Sequence, residues 1–171
     1  LAKFREVTGR RRAALEAMSD EDWDAVGFTP AGPDSYGRFM RVRVFDCWLH
    51  EIDIRDALGL AVSGDAAVGA VALDEMAASM GFVVGKLGGA PEGPRVALEL
   101  TGPLERVSRV AVDGRAAVVD DFGGSAPTAT IRLDALDFAR LCGGRVDSAP
   151  VAYDGDAEVG KRIVAKLNYV I

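Results

Sequence analysis

The chain has 171 residues, about half of them hydrophobic, and carries 26 acidic against 20 basic side chains for a formal net charge of -6. This is enough apolar material for a packed core in one domain or two small ones, and the acidic balance argues against a nucleic-acid surface. Two cysteines are too few for a disulfide scaffold, no secretory leader pattern is evident and no 18-residue apolar run stands out, so a cytoplasmic protein with no membrane span is expected.

Leu1, Phe4, Val7, Ala14, Leu15 and Met18 recur at helical spacing and predict a helix over 1–18. The helix begins at Leu1 with no lead-in, and an N-terminal part is expected to be absent. Ser19 followed by Glu21 and Asp22 reads as a stop and a new start. The Pro- and Gly-rich run Gly27–Asp34 reads as a loop, after which Asp34 or Ser35 can cap a long helix running to about Leu58, with Gly59 as its stop. A further helix is predicted over 66–85, carrying Val68, Val71, Ala72, Glu75, Met76, Met80 and Val83.

Residues 85–94 contain Gly88-Gly89-Ala90-Pro91 and Gly93-Pro94, and beyond them the periodicity changes from 3.6 to 2. The expected division is therefore a helical domain over 1–88 and an α+β domain over 89–171. Within the second, strands are predicted at 95–101, 106–112, 115–119 and 128–133, with Asp113-Gly114 as a two-residue hairpin turn. Asp134 caps a helix with Asp137 in its first turn, and Gly143 closes it. A short strand at 150–153 leads to Asp156, the cap of a last helix with Val159, Ile163, Val164 and Leu167 on one side.

The segment Phe45–Gly59 holds the chain's single histidine, with an aspartate four residues before it and another three after. On a helix Asp46, His50 and Asp53 share one face. Phe45, Leu49 and Ile52 flank that polar stripe on one side, and Cys47, Ile54 and Leu58 on the other. A polar stripe between apolar flanks suits a bundle helix that projects ligands toward its partners.

The run Arg41–Gly59 resembles the mycothiol-dependent maleylpyruvate isomerase family of actinobacteria. The second half resembles the same family in Thr130-Ile131-Arg132-Leu133-Asp134, in Phe138–Arg145 and in Gly155–Gly160. The resemblance implies an α+β protein: a DinB-like helical bundle, incomplete here, followed by a small sterol-carrier-like domain. It implies a divalent metal, zinc first, bound by two histidines and a carboxylate. The last two of these ligands lie four residues apart on one helix and match Asp46 and His50. The other histidine belongs to a helix near the family's N-terminus. This chain has no second histidine, so that ligand is expected in an absent segment or is lost. The implied function is a metal-dependent isomerase or transferase that uses a mycothiol-type thiol on a small electrophilic substrate, and the resemblance gives neither substrate nor oligomeric state.

Other readings stand beside this one. On spacing alone, a buried histidine held by an aspartate one turn away is the commoner arrangement, because a catalytic zinc takes three protein ligands and two are evident. Asp53 either orients a ligand from behind or pairs with a basic neighbour. Glu51 and Arg55 read as a surface ion pair, Trp48 as a core anchor, and Cys47 as a small buried hydrophobe. Cys142-Gly143-Gly144-Arg145 reads as a helix end, with Arg145 a weaker candidate for a substrate carboxylate. For the whole chain, the alternatives are a binding or regulatory module that keeps the bundle without the chemistry, or a lipid-binding protein. For the C-terminal domain a packed core is the default expectation.

Overall fold

The structure is a computed structural model that describes residues 1–29, 32–62 and 66–170. In chain order it contains α1 (Ala2–Glu16), α2 (Asp20–Asp24), β1 (Val26–Thr29), β2 (Gly32–Ser35), α3 (Tyr36–Ala57), α4 (Ala66–Ala78), α5 (Met80–Phe82) and a π-helical turn at Val83–Leu87. These are followed by β3 (Arg95–Thr101), β4 (Arg106–Asp113), β5 (Arg115–Val119), β6 (Ala129–Asp134), α6 (Ala135–Cys142), β7 (Ala152–Gly155) and α7 (Ala157–Val164). Helices and one mixed sheet make this an α+β protein, as expected. The backbone separates into two compact units, Leu1–Arg43 and Val44–Ile171.

In the first unit α1 buries no residue. Ser19 caps α2 through a full capping box: its hydroxyl accepts from the Asp22 amide, and the Asp22 carboxylate accepts from the Ser19 amide. The segment read as a loop is instead a β-hairpin. Val26 pairs with Ser35 and Phe28 with Pro33 in antiparallel register. Pro33 is tolerated there because this two-stranded ribbon is all edge. Pro30 and Ala31, also included in the loop reading, lie outside the described residues. Of the two candidate caps, Ser35 does the capping: its hydroxyl accepts from the Arg38 amide at 3.1 Å. Trp23 and Phe39 pack their rings on either side of this corner against Tyr36.

The second unit is organised by a five-stranded sheet of order β5-β4-β3-β6-β7. β3 runs parallel to β6 and antiparallel to β4, and the remaining neighbours are antiparallel. Alternation sends Val96, Leu98, Leu100, Val110, Val112, Ala129, Ile131 and Leu133 to one face, where all are buried. That face meets Phe138 of α6, Ile163 of α7, and Met80, Val83 and Val84 of the helical run, all but fully buried in one core. Trp48, Leu49 and Ile52 of α3 join the same core, which bears out the anchoring role of Trp48. Gly81 and Gly85 bring the helical run close to β5; a methyl group at Gly85 would stand 2.5 Å from the Ala116 Cβ.

Several boundaries fall where the sequence placed them. Asp134 and Asp156 both accept from first-turn amides of their helices. The β4–β5 hairpin also falls where it was expected, but not as a two-residue turn: Asp113 still pairs with Arg115, which leaves Gly114 alone at the tip, at φ +63°. The last strand lies two residues later than predicted. Ala67–Leu87 is, by length and composition, apolar enough to cross a membrane, contrary to the expectation that no such run exists. Ala72, Leu73, Met76, Met80, Val83 and Val84 from it are buried in the core, and the core helix of a folded domain has the same composition.

Candidate functional site

The site is built on the second half of α3. Trp48, Leu49 and Ile52 turn one face of that helix into the core, which leaves Asp46, His50 and Asp53 together on another. The His50 ring lies between the two carboxylates. Its Nε2 is 3.5 Å from Asp46 Oδ1, and its Nδ1 is 3.3 Å from Asp53 Oδ2. Side-chain exposure is 65% for His50 and 46% for Asp46, so His50 is not a buried core histidine.

Asp53 pairs with a basic residue, one of the two readings that the sequence left open, and lies against His50 as well. It approaches His50 Nδ1, and it is also gripped by Arg145, whose Nε and Nη2 donate to its two oxygens at 3.0 and 2.9 Å. Hydrogen bonding from Arg145 holds the Asp53 carboxyl below its ordinary range, against partial burial, which raises it. The same contact pushes the Arg145 guanidinium up, and the Asp46 charge adds to that effect. A parallel fork lies one turn along α3, where Arg140 Nε and Nη2 donate to Asp56 at 2.8 and 2.9 Å and lower its carboxyl likewise. Sequence reading missed both clamps. Their partners lie 84 and 92 positions apart, and only their helix-end and helix-face placement hinted at them.

The Asp46–His50 pair supplies donor types that a divalent transition metal takes, one short of the three protein ligands of a catalytic zinc site. It offers one neutral nitrogen and one anionic oxygen. Two ligands held at zinc distances on a tetrahedral ion stand about 3.3–3.5 Å apart, and the observed separation of 3.5 Å is at the upper end of that range. Among the described residues no three His, Cys, Asp or Glu side chains gather as a metal-holding group.

The expectation that apolar flanks enclose the stripe holds on one side only. Leu49 and Ile52 are buried and Phe45 packs against the same core, but Ile54 is 62% and Leu58 66% exposed. Cys47 is exposed as well, contrary to its reading as a buried hydrophobe. This second flank instead borders a depression of about 450 Å³ lined by Cys47, His50, Glu51, Ile54, Arg55 and Leu60, within the size range of small-ligand pockets. Arg55 is held there by Glu51 at 2.7 Å, the predicted ion pair, and by the Ala61 carbonyl at 3.1 Å.

Two other features carry no such chemistry. A wider groove of about 560 Å³ beside the π turn, lined by Phe82, Lys86, Arg115 and several glycines, contains none of the predicted site residues. Cys142 is buried at the end of α6, where desolvation pushes its thiol up and keeps it un-ionised. The glycine pair after it closes that helix, with Gly144 at φ +64°, as the helix-end reading predicted.

Comparison with known proteins matches these elements to named families. Among solved structures the chain is similar to a "UbiJ-SCP2 Ubiquinone synthesis protein" at 16% identity, over 60% of this chain and 92% of that one, with a TM-score of 0.35; that likeness bears on neither site nor function. No curated protein sequence matches. Residues 1–55 match the family described as "Mycothiol maleylpyruvate isomerase N-terminal domain", which takes in the Asp46–Asp53 face, and residues 70–162 match the "MDMPI C-terminal domain", which takes in Arg140 and Arg145. With more than half of its length inside one family match and the Asp46–Asp53 face inside the other, the chain belongs to the mycothiol maleylpyruvate isomerase family.

Proposed function

We propose that the protein is a metal-dependent enzyme that uses a low-molecular-weight thiol of the mycothiol type to isomerise, or to conjugate, a small electrophilic substrate. The observation that carries this reading is the pairing of Asp46 Oδ1 and His50 Nε2, 3.5 Å apart at the edge of an open depression. Family membership supports the thiol and the isomerase-type reaction.

His50 and Asp46 would hold the ion, zinc first, leaving positions open. A bound divalent ion supplies positive charge that favours the thiolate form of the cofactor, the form that attacks carbon. The chain's own residues do the rest. Ile54 and Leu60 give the depression an apolar wall for the carbon part of a substrate, and Arg55, braced by Glu51, provides a fixed cation beside it.

Mycothiol-dependent turnover of maleylpyruvate and of a panel of small electrophiles tests this directly. Turnover that needs both thiol and metal, and is lost in His50→Ala, supports the reading; equal turnover without thiol defeats it. A second reading is a binding or regulatory module without chemistry. It has one observation in its favour: among the described residues no group of three side chains is arranged to hold a metal. In that case the thiol binds, but no electrophile is consumed.

A further inference from the structure

We infer that Arg145 and Asp53 are positioning residues that fix the tautomer of His50, keeping the proton on Nδ1 and turning the Nε2 lone pair toward Asp46. This deepens the metal reading above and rests on it for its purpose, although the tautomer itself is a property of the chain alone.

The argument begins with a count of protons. A neutral imidazole has one N–H and one acceptor nitrogen. His50 faces two carboxylates, so it can donate to only one of them. The contact with Asp53 is the shorter, 3.3 Å from Nδ1, and makes a hydrogen bond. The contact with Asp46, 3.5 Å from Nε2, is an ion-pair distance at the outer limit of hydrogen bonding.

The position of Asp53 is also fixed from behind. The Arg145 fork holds both of its oxygens, and a planar fork sets the carboxylate's orientation as well as its place. Arg145 is itself tied to the end of α6. Its Nη1 donates to the Gly143 carbonyl at 2.6 Å, and its amide donates to the Arg140 carbonyl at 2.8 Å. A continuous line therefore runs from the backbone at the end of α6, through Arg145 and Asp53, to His50 Nδ1.

With the proton on Nδ1, Nε2 and Asp46 Oδ1 are two acceptors facing each other. Their separation is close to that of two ligands sharing one cation. An outer-shell carboxylate behind a metal-binding histidine has this orienting role in general. Here the second partner, Arg145, comes from a distant part of the chain.

His50 is the single histidine, so its ring nitrogens give unambiguous signals in a long-range proton–nitrogen correlation spectrum. At alkaline pH, where imidazole is neutral, the metal-free protein is expected to show Nδ1 protonated and Nε2 bare. Asp53→Ala and Arg145→Ala are each expected to move the population toward the Nε2–H form, with amide dispersion confirming a folded chain. Asp53→Asn serves if Asp53→Ala does not fold. A wild-type ring already in the Nε2–H form, or a tautomer unchanged in the folded variants, overturns the inference. Zinc titration of the same proteins separates this result from the metal reading: Asp53→Asn is expected to weaken zinc binding about 10- to 100-fold. Protonated Nδ1 without any zinc binding sinks the metal reading and leaves the positioning intact; zinc binding by a ring in the Nε2–H form sinks the positioning alone.

Discussion

Arg145 closes two of its guanidinium nitrogens on the Asp53 carboxylate, at 3.0 and 2.9 Å, joining residues 92 positions apart. With Arg140 on Asp56, this fastens the end of α6 to the site half of α3 by two parallel forks. Both pairs are partly exposed, which limits each to about 1 kcal/mol. A double-mutant cycle of Asp53→Asn with Arg145→Ala, followed by urea unfolding, is expected to show a coupling energy of that order. A coupling indistinguishable from zero shows that the fork forms without stabilising the fold.

The same forks set an acid limit. Asp53 and Asp56 titrate below the ordinary carboxylate value of 3.8 in the folded chain because their arginines favour the charged form. The folded state therefore takes up these protons less readily than the unfolded chain. The stabilisation is complete above the unfolded value and fades as pH falls through the lower folded values. Arg145→Ala and Arg140→Ala together should flatten the loss of melting temperature below about pH 4 relative to wild type. Parallel pH profiles for the two proteins would remove Asp53 and Asp56 from the acid transition.

Two glycines make a matched test of packing. A Cβ at Gly85 stands 2.5 Å from the Ala116 Cβ, so Gly85→Ala forces the π turn away from β5 and should cost about 1–3 kcal/mol. Gly9 is in α1 with nothing within 4 Å of an added Cβ. Gly9→Ala should stabilise its helix by about 0.5–1 kcal/mol. Thermal unfolding of both variants reads the opposite signs. A neutral Gly85→Ala means that the helical run and β5 are less closely packed than the structure has them.

The local grammar of this chain was legible. Asp134 and Asp156 announce their helices because a short side-chain acceptor before an apolar period has few other uses. The stripe of Asp46, His50 and Asp53 follows from 3.6 residues per turn. Tertiary pairing was not legible: nothing near Asp53 in sequence marks Arg145 as its partner, and nothing near Ile54 says that its flank lies open beside a depression. The hairpin at Val26–Ser35 was hidden because its Gly and Pro residues weigh against strand, and a two-stranded ribbon needs little intrinsic preference when its backbone bonds are satisfied. Gly85–Pro94 does mark a change of element, from the π turn to β3.

Whether the break at 88/89 also separates folding units is a matter for limited proteolysis. Met80, Val83 and Val84 share a core with β3 and β4, so the stable C-terminal fragment is expected to retain residues 66–88. Early cleavage between Gly88 and Pro94, with release of the preceding helices, would instead support two units divided there.

The central claim is that Asp46 and His50 together hold one divalent metal. Metal analysis of the purified gene product by inductively coupled plasma mass spectrometry, beside His50→Ala and Asp46→Asn, tests it most directly. The account predicts bound zinc or a similar transition metal in the wild type, its loss in His50→Ala without unfolding, and reduced content in Asp46→Asn, which keeps the shape but removes the anionic ligand. A wild type without metal, or a His50→Ala protein with undiminished metal, would contradict it.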